Sequence, residues 1–392
     1  MRFLLRIFMV VMLSLSLVYA EGPTPIWPTH GLEINNTPGN SPQQNPKMAG
    51  KIVVWEDGRL GFTNLWAQKI GENGQPLWDK NGIPLAPVSA NQNSHNLVAD
   101  ENGETIIVWQ DYRNGNSDIY AQKLDEQGKV VWANNGIPIC KASGGQFAPE
   151  IASDGNGGAI VTWHDYRSGS GEDIYAQRID KNGRTLWAEN GIVVCDAPGT
   201  QWYPKIASDG QGGAIIVWAD AREGSANYNI FGQRIDYAGK PLWEKNGISI
   251  CSAPQNQDQP AILPTSGGAI IAWSDNRNGN PDIFAQKINL EGKPLWQSDG
   301  QAVAIAPFSQ EDPKLSSDGS GGAIIVWTDE RQEAKNIYLQ RITNDGKIAW
   351  EENGKPLVKA LFNQDHPEIV KIANEWVIVW EDSRRGNPLL FA

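Results

Sequence analysis

One acidic and one basic side chain recur together seven times, each time behind a tryptophan. The copies are Trp55-x-Asp57-x-Arg59, Trp109-x-Asp111-x-Arg113, Trp163-x-Asp165-x-Arg167, Trp218-x-Asp220-x-Arg222, Trp273-x-Asp275-x-Arg277, Trp327-x-Asp329-x-Arg331 and Trp380-x-Asp382-x-Arg384. Alternate residues of a strand share a face, so the three side chains of each copy point the same way. A carboxylate and a guanidinium so placed can pair and hydrogen-bond a neighbouring loop. Seven equal copies point to a structural role, since one catalytic centre rarely needs seven equal parts; ligand binding is the lesser reading and catalysis the least. A second set lies upstream: Gln43, Gln92, Gln146, Gln201, Gln257, Gln310 and Gln364, each three residues before a proline or, once, His95. One strand runs away from this point and the next returns, which brings the glutamines and the Asp-x-Arg set to one end of the units. Such amides either satisfy local backbone and arginine groups or form a row able to recognise sugar hydroxyls.

The third and fourth copies depart from the small polar pattern near the glutamines. Phe147 follows Gln146, Trp202 and Tyr203 follow Gln201, and Tyr112 and Tyr166 stand between Asp and Arg of the second and third copies. Aromatic faces beside amides suit sugar rings, which offer apolar CH faces and hydroxyl edges. The candidate ligand site is therefore Trp202, Tyr203, Phe147, Tyr112, Tyr166, Gln146 and Gln201. The bland alternative is that these rings cap the wedge between neighbouring sheets.

Other chemistries find little support. His30, His95, His164 and His366 are dispersed without metal-ligand spacing, so neither a metal nor a cofactor is expected. The turns at Asp154, Asp209 and Asp318 (DGxGG) supply too few oxygens for a calcium loop and read as tight hairpins. No G-x-S-x-G elbow or Walker loop is present. SDGNGGAIVTW looks superficially like the Asp box of sialidase-type propellers, but its spacing is wrong. Two acids brought together by loops would suffice for glycoside hydrolysis, and that reading stays open. Cys140, Cys195 and Cys251 occupy one repeat position, taken elsewhere by Ala86, Ala304 and Val358. Equivalent positions in neighbouring units lie beyond the roughly 7 Å Cα limit of a disulfide, so small buried residues are expected there.

The elements that must position these residues follow from the period. The motif returns every 53 to 55 residues, the mark of a repeat architecture whose units cannot bury a core alone. One unit reads PEIASD, a DGNGG turn, AIVTWHDYR, a loop, IYAQRID, a KNG turn, TLW, an Asn-Gly turn and IVVC. These are four short strands with turn residues between them and no helix signal. A fixed period near 50 with four strands selects a β-propeller. A second tryptophan set, Trp27, Trp78, Trp132, Trp187, Trp243, Trp296 and Trp350, follows a Gly turn in each unit and can seal the gap to the adjacent sheet. The stretch LDEQGKVVW resembles the tryptophan-docking motif of quinoprotein-type propellers, which locks neighbouring blades together in that family; the quinoproteins' cofactor residues have no counterpart here. Over nearly the whole chain the repeat (DIYAQR, NG, LW, NGI) resembles that of uncharacterised secreted bacterial β-propeller proteins. That resemblance implies a fold without an assigned activity.

The ends complete the expectation. PIWPTHGLEI aligns with the fourth-strand segment PLWEKNGISI, and RRGNPLLFA with the third-strand segment RNGNSDIYA. An all-β, seven-bladed propeller with four-stranded blades follows, its ring closed by an N-terminal strand within Pro25 to Asn36 that completes the last blade. The last strand stops before the usual Gln-Lys/Arg-Ile, so a continuation beyond Ala392, into a sorting or anchoring domain, is expected. Arg2 and Arg6, the apolar run Ile7 to Val18 and the Val18-Tyr19-Ala20 site read as a signal peptide over residues 1–20, leaving 21–392 as a single domain. That run is too short for a comfortable membrane span and nothing later resembles one. The protein is thus expected to be secreted or at the cell surface, with the periplasm as an alternative, as a monomer or part of a larger chain. The net charge of −12, or −14 once the two leader arginines are removed, repels phosphate backbones and argues against nucleic acid. Because the loops keep nearly equal lengths, a non-catalytic module that binds a glycan or an extracellular protein is expected. A polysaccharide-active hydrolase or lyase with its site at the central channel is the alternative.

Overall fold

The computed structural model describes residues 43–383 apart from 72–73, 101, 225–226, 333, 358–361 and 373–374, together with the backbone of 12–14, 24–25 and 389–391. The described residues are all-β, without a helix, and fall into antiparallel sheets that follow one another along the chain. Six sheets have four strands in simple up-and-down order; the third runs Gln146–Ser153, Ala159–Asp165, Asp173–Ile179 and Ile192–Cys195. A further sheet holds Gln364–Ile372, Glu375–Asp382 and Leu389–Phe391, joined by Met12–Ser14 and Thr24–Pro25. The expected closing segment, Pro25 to Asn36, lies almost wholly outside the described residues. What is described differs from the expectation: Met12–Ser14 pairs with the strand Glu375–Asp382, and Thr24–Pro25 pairs only with Met12–Ser14.

The second strand of each unit is the centre of its sheet, and its sequence explains its burial. Ala214–Asp220 and Ala323–Asp329 are buried along their whole length, as a continuous apolar run requires when both faces meet another layer. The motif tryptophans from Trp55 to Trp327 are wholly inaccessible. Each cluster of buried side chains spans two consecutive sheets; Trp218, for example, packs with Ile174, Ala176 and Val194 of the preceding unit. Sheets therefore stack face to face in chain order, and the first and last described units meet through Val53, Trp55 and Val377. A single cavity of about 520 Å³ is lined by the first strand of every unit, which places those strands innermost.

Two devices hold the stack. Trp187 Nε1 donates to the carbonyl of Tyr237 in the next unit (3.2 Å), and its ring lies so close to Gly239 that a Cβ there would sit 3.0 Å from it. Trp132, Trp243 and Trp296 make the same bond to Lys181, Leu290 and Asn344. Within a sheet, Gly247 (φ +84°) lets the chain turn against the face of Trp218, where a Cβ would meet the Trp218 ring and the Gly232 carbonyl at 2.6 Å.

The first strands begin earlier than the sequence pattern indicates. The strand expected at Pro149 starts at Gln146, which pairs with Asp165, and the register then slips between Phe147 and Glu150. The same bulge recurs in all seven units, with its middle residue in the left-handed region: Asn45, Ser94, Ala148, Tyr203, Gln259, Asp312 and His366, φ +48° to +56°. A bulge re-aims the side chains at the end of a strand, and of these bulge residues Tyr203, Gln259, Asp312 and His366 line the cavity. No helix among the described residues is long and apolar enough to cross a membrane.

Candidate ligand-binding site

The Asp-x-Arg pairs are the collar of this end. Asp220 accepts from Trp218 Nε1 (2.7 Å), the Arg222 backbone N–H (2.9 Å), Arg222 Nε (2.9 Å) and Arg222 Nη2 (2.6 Å). Arg222 also donates to the Asn246 carbonyl (2.7 Å) and lies 3.8 Å from the centre of the Phe231 ring. The first, second, third, fifth and sixth units repeat the pairing through Asp57–Arg59, Asp111–Arg113, Asp165–Arg167, Asp275–Arg277 and Asp329–Arg331, always with the carboxylate inaccessible. The seventh copy falls outside this description: the side chain of Asp382 and all of Arg384 are not among the described residues. These carboxylates are inaccessible and are met within their own units by Trp and Arg and, at Asp165, Asp220 and Asp275, by the thiol of Cys140, Cys195 or Cys251 from the preceding unit (3.9–4.0 Å), so the set has little left to offer a ligand.

The glutamines are buried too. Gln146 and Gln201 are inaccessible, and their amide groups donate to the carbonyls of Ala142 and Gly144 and of Ala197 and Pro198. Of the two readings of this set, these contacts are those of local backbone satisfaction and not of a row open to sugar hydroxyls: Gln146 and Gln201 each sit inside the strand end, bridging it to the loop that delivers it. The three cysteines are free and buried, and burial pushes their thiols up to about 12.

The aromatic residues divide into two clusters. In the third unit the half-buried Phe147 packs edge-on against Tyr166 (5.6 Å between centroids) and against His164 (5.7 Å). The Tyr166 hydroxyl donates to Glu172, which raises its own pKa to about 12, and burial lowers His164 to about 4, so that imidazole is neutral. In the fourth unit Trp202 stacks on Tyr228 (5.6 Å, 19°) and meets Tyr203 at a steep angle (6.0 Å, 70°). Tyr203 is 49% exposed and forms part of the cavity wall. Tyr112 is only partly buried, accepts from Gln110 Nε2 (3.2 Å) and joins neither cluster. Sequence reasoning missed His164, which comes from the second strand of the third unit, and Tyr228, which comes from the loop just before the strand Asn229–Ile235.

It also missed the acidic side. The residue after each buried glutamine is Gln44, Asn93, Phe147, Trp202, Asp258, Glu311 and Asp365 in turn. Two amides, two aromatics and three carboxyls thus occupy equivalent places. Asp365 is held ionised by Lys335 (2.9 Å) and Thr328 Oγ1 (2.9 Å). Asp258 and Glu311 have no hydrogen-bond or ion-pair partner among the described residues. Burial and the neighbouring Glu311 push Asp258 up to about 6, and burial and Glu330 raise Glu311. Deeper in the cavity a belt of paired charges crosses the first strands: Lys47 with Glu368, Lys205 with Glu150, and Lys314 with Asp312 (2.7 Å). No group of three or more His, Cys, Asp or Glu able to hold a metal occurs among the described residues.

No family model and no curated protein matches this chain. Its structure is similar to the β-propeller domain of the Trilobed protease from Pyrococcus furiosus, with 9% identity, 89% of this chain and 93% of that one covered, and a TM-score of 0.51. It is also similar to a thermostable family-43 glycoside hydrolase (10% identity, 69% and 96% covered, TM-score 0.40). A third is the α-L-arabinofuranosidase Arb93A from Fusarium graminearum (11% identity, 78% and 94% covered, TM-score 0.44). The fold is that of a β-propeller. Glycoside hydrolases among the similar structures overturn the expectation that the chain is not an enzyme. That expectation rested on loops of uniform length, and the units differ not in loop length but in the residues their bulges present.

Proposed function

We propose that residues 21–392 form one seven-bladed propeller, exported after loss of residues 1–20, that binds a carbohydrate at the bulged end of the cavity. The observation that carries this reading is the division of one repeat position into aromatic residues in the third and fourth units and carboxyls in the fifth to seventh. Tyr203 and the Trp202–Tyr228 stack offer ring faces, and the carboxyls beyond them offer acceptors for hydroxyl groups. A cavity of about 520 Å³ falls within the range of small-ligand sites, roughly 300–1,000 Å³. The test is a glycan array followed by titration of the Trp202→Ala and Tyr203→Ala variants. Loss of binding at an unchanged melting temperature supports the site, and unchanged affinity in both variants refutes it.

One observation favours a second reading, hydrolysis of the bound glycan. Asp258 and Glu311 are carboxyls without a hydrogen-bond or ion-pair partner among the described residues; burial and the charge of Glu311 raise Asp258, which holds its proton to about pH 6, and burial and Glu330 raise Glu311. One carboxyl kept protonated beside another that ionises is the pairing glycoside hydrolysis uses. Release of reducing ends by the parent protein, abolished in Asp258→Asn and Glu311→Gln, would establish it; no release from any glycan that binds would dismiss it.

A further inference from the structure

The charged belt across the cavity has one gap. It occupies the position two residues beyond each bulge, and six of the seven residues there are charged or amide-bearing. They join in two arcs. Lys47 pairs with Glu368, which Lys314 approaches to 3.8 Å, and Lys205 pairs with Glu150, which accepts from Asn96 Nδ2 at 2.6 Å. The arcs act on each other across the cavity: Lys205 helps to hold Glu368 down, and Glu150 helps to keep Lys314 protonated. A ligand pushing through would have to part these pairs. The fifth unit alone carries a methyl group at this level, Ala261, with Lys205 and Lys314 on the units to either side. Just above it Gln259 is oriented by its own oxygen, which accepts from Ser274 Oγ (3.0 Å) and from the Asp312 backbone N–H (2.9 Å). Its NH₂ group donates to nothing among the described residues.

We infer that the gap at Ala261 is the subsite for the terminal residue of the glycan, with the Gln259 amide as donor to it. The protein then recognises chain ends and not mid-chain segments. This rests on the carbohydrate reading above. The paired arcs stand in the way of a threading polymer in the other units, whereas one sugar can descend from the Tyr203 wall into the space that a lysine, glutamate or asparagine fills there.

The experiment uses the full chain and hexasaccharides of β-1,4-glucan, β-1,4-xylan and α-1,5-arabinan. Each is free at both ends, or joined to a bulky fluorophore at one end or the other, and affinity is read by calorimetry or anisotropy. One of the two labelled forms should bind like the free sugar and the other should lose at least about tenfold. Ala261→Lys should cause a similar loss by filling the gap. Ala261→Asn, which installs the second unit's residue and is therefore tolerated by the fold, should weaken binding several-fold. Equal binding of both labelled forms, or unchanged affinity in both Ala261 variants, overturns the proposal. If that binding is still weakened by Trp202→Ala, only the chain-end inference falls; if no hexasaccharide binds at all, the carbohydrate reading falls with it.

Discussion

Replacing Asp258 by Asn tests the electrostatics of the site without any knowledge of its ligand. Asp258 is largely buried, has no hydrogen-bond or ion-pair partner among the described residues, and faces the field of Glu311 and Asp275, which together with burial lift it from 3.8 to about 6. In the unfolded chain the carboxyl loses its proton near 3.8, whereas in the folded chain it keeps it until about 6. A raised folded pKa contributes stability that is whole below the unfolded value and lost as the pH rises through the folded one. Two units at about 1.4 kcal/mol each set an upper bound of about 3 kcal/mol for that loss. Screening by solvent on the cavity side brings the expected figure to about 1–2 kcal/mol. Asn keeps the shape and never ionises. The variant should therefore match the parent near pH 4 and exceed its stability by about 1–2 kcal/mol near pH 7, with the change falling between pH 4 and 6. Urea unfolding followed by tryptophan fluorescence at several pH values measures this directly. A variant less stable than the parent at pH 7, or a difference that does not vary with pH, would refute the reasoning, because Asp258 would then be a stabilised anion with a partner.

Three further outcomes are expected. Asp220→Ala leaves the Arg222 guanidinium and the Trp218 indole N–H without their acceptor and should cost roughly 3–5 kcal/mol in chemical unfolding, as should the same change at Asp275. Equal losses support a structural collar, while a variant that keeps its stability and loses only a ligand activity would contradict it. Gly247→Ala forces a Cβ to 2.6 Å from the Trp218 ring and the Gly232 carbonyl at φ +84°; it should lower stability by roughly 1–3 kcal/mol, and an unchanged melting temperature would show that this turn is not tight. Acidic glycans such as uronic-acid oligomers should bind at least about tenfold more weakly than neutral ones of equal length, because Asp258 and Glu311 bring unpaired carboxyls to the site; tighter binding of the acidic series would reverse the assignment of charge.

The order of strands was readable because the repeat presents the same evidence seven times. A turn such as KNG or a run such as AIVTW is weak alone, but recurrence at a fixed period separates signal from chance. The buried Trp-Asp-Arg triplet was readable for a related reason: residues two apart in a strand share a face, so their contact is set by local geometry. The bulge was not readable. Gln146-Phe147-Ala148-Pro149 contains no glycine to announce a left-handed residue, and Ala148 adopts φ +48° only because the strand on either side is already held. Missing the bulge left both readings of the glutamines open and hid the row that follows them. The site itself belongs wholly to the tertiary structure. Trp202 and Tyr228 are 26 positions apart, and Asp258 and Glu311 are 53 apart; nothing in either local stretch marks them as neighbours. What the sequence determined by itself is everything that depends on contacts within a strand or across one hairpin. What only the tertiary structure decided is which of seven equivalent positions face one another across the cavity, because those separations depend on how whole sheets stack and not on any residue's local preference.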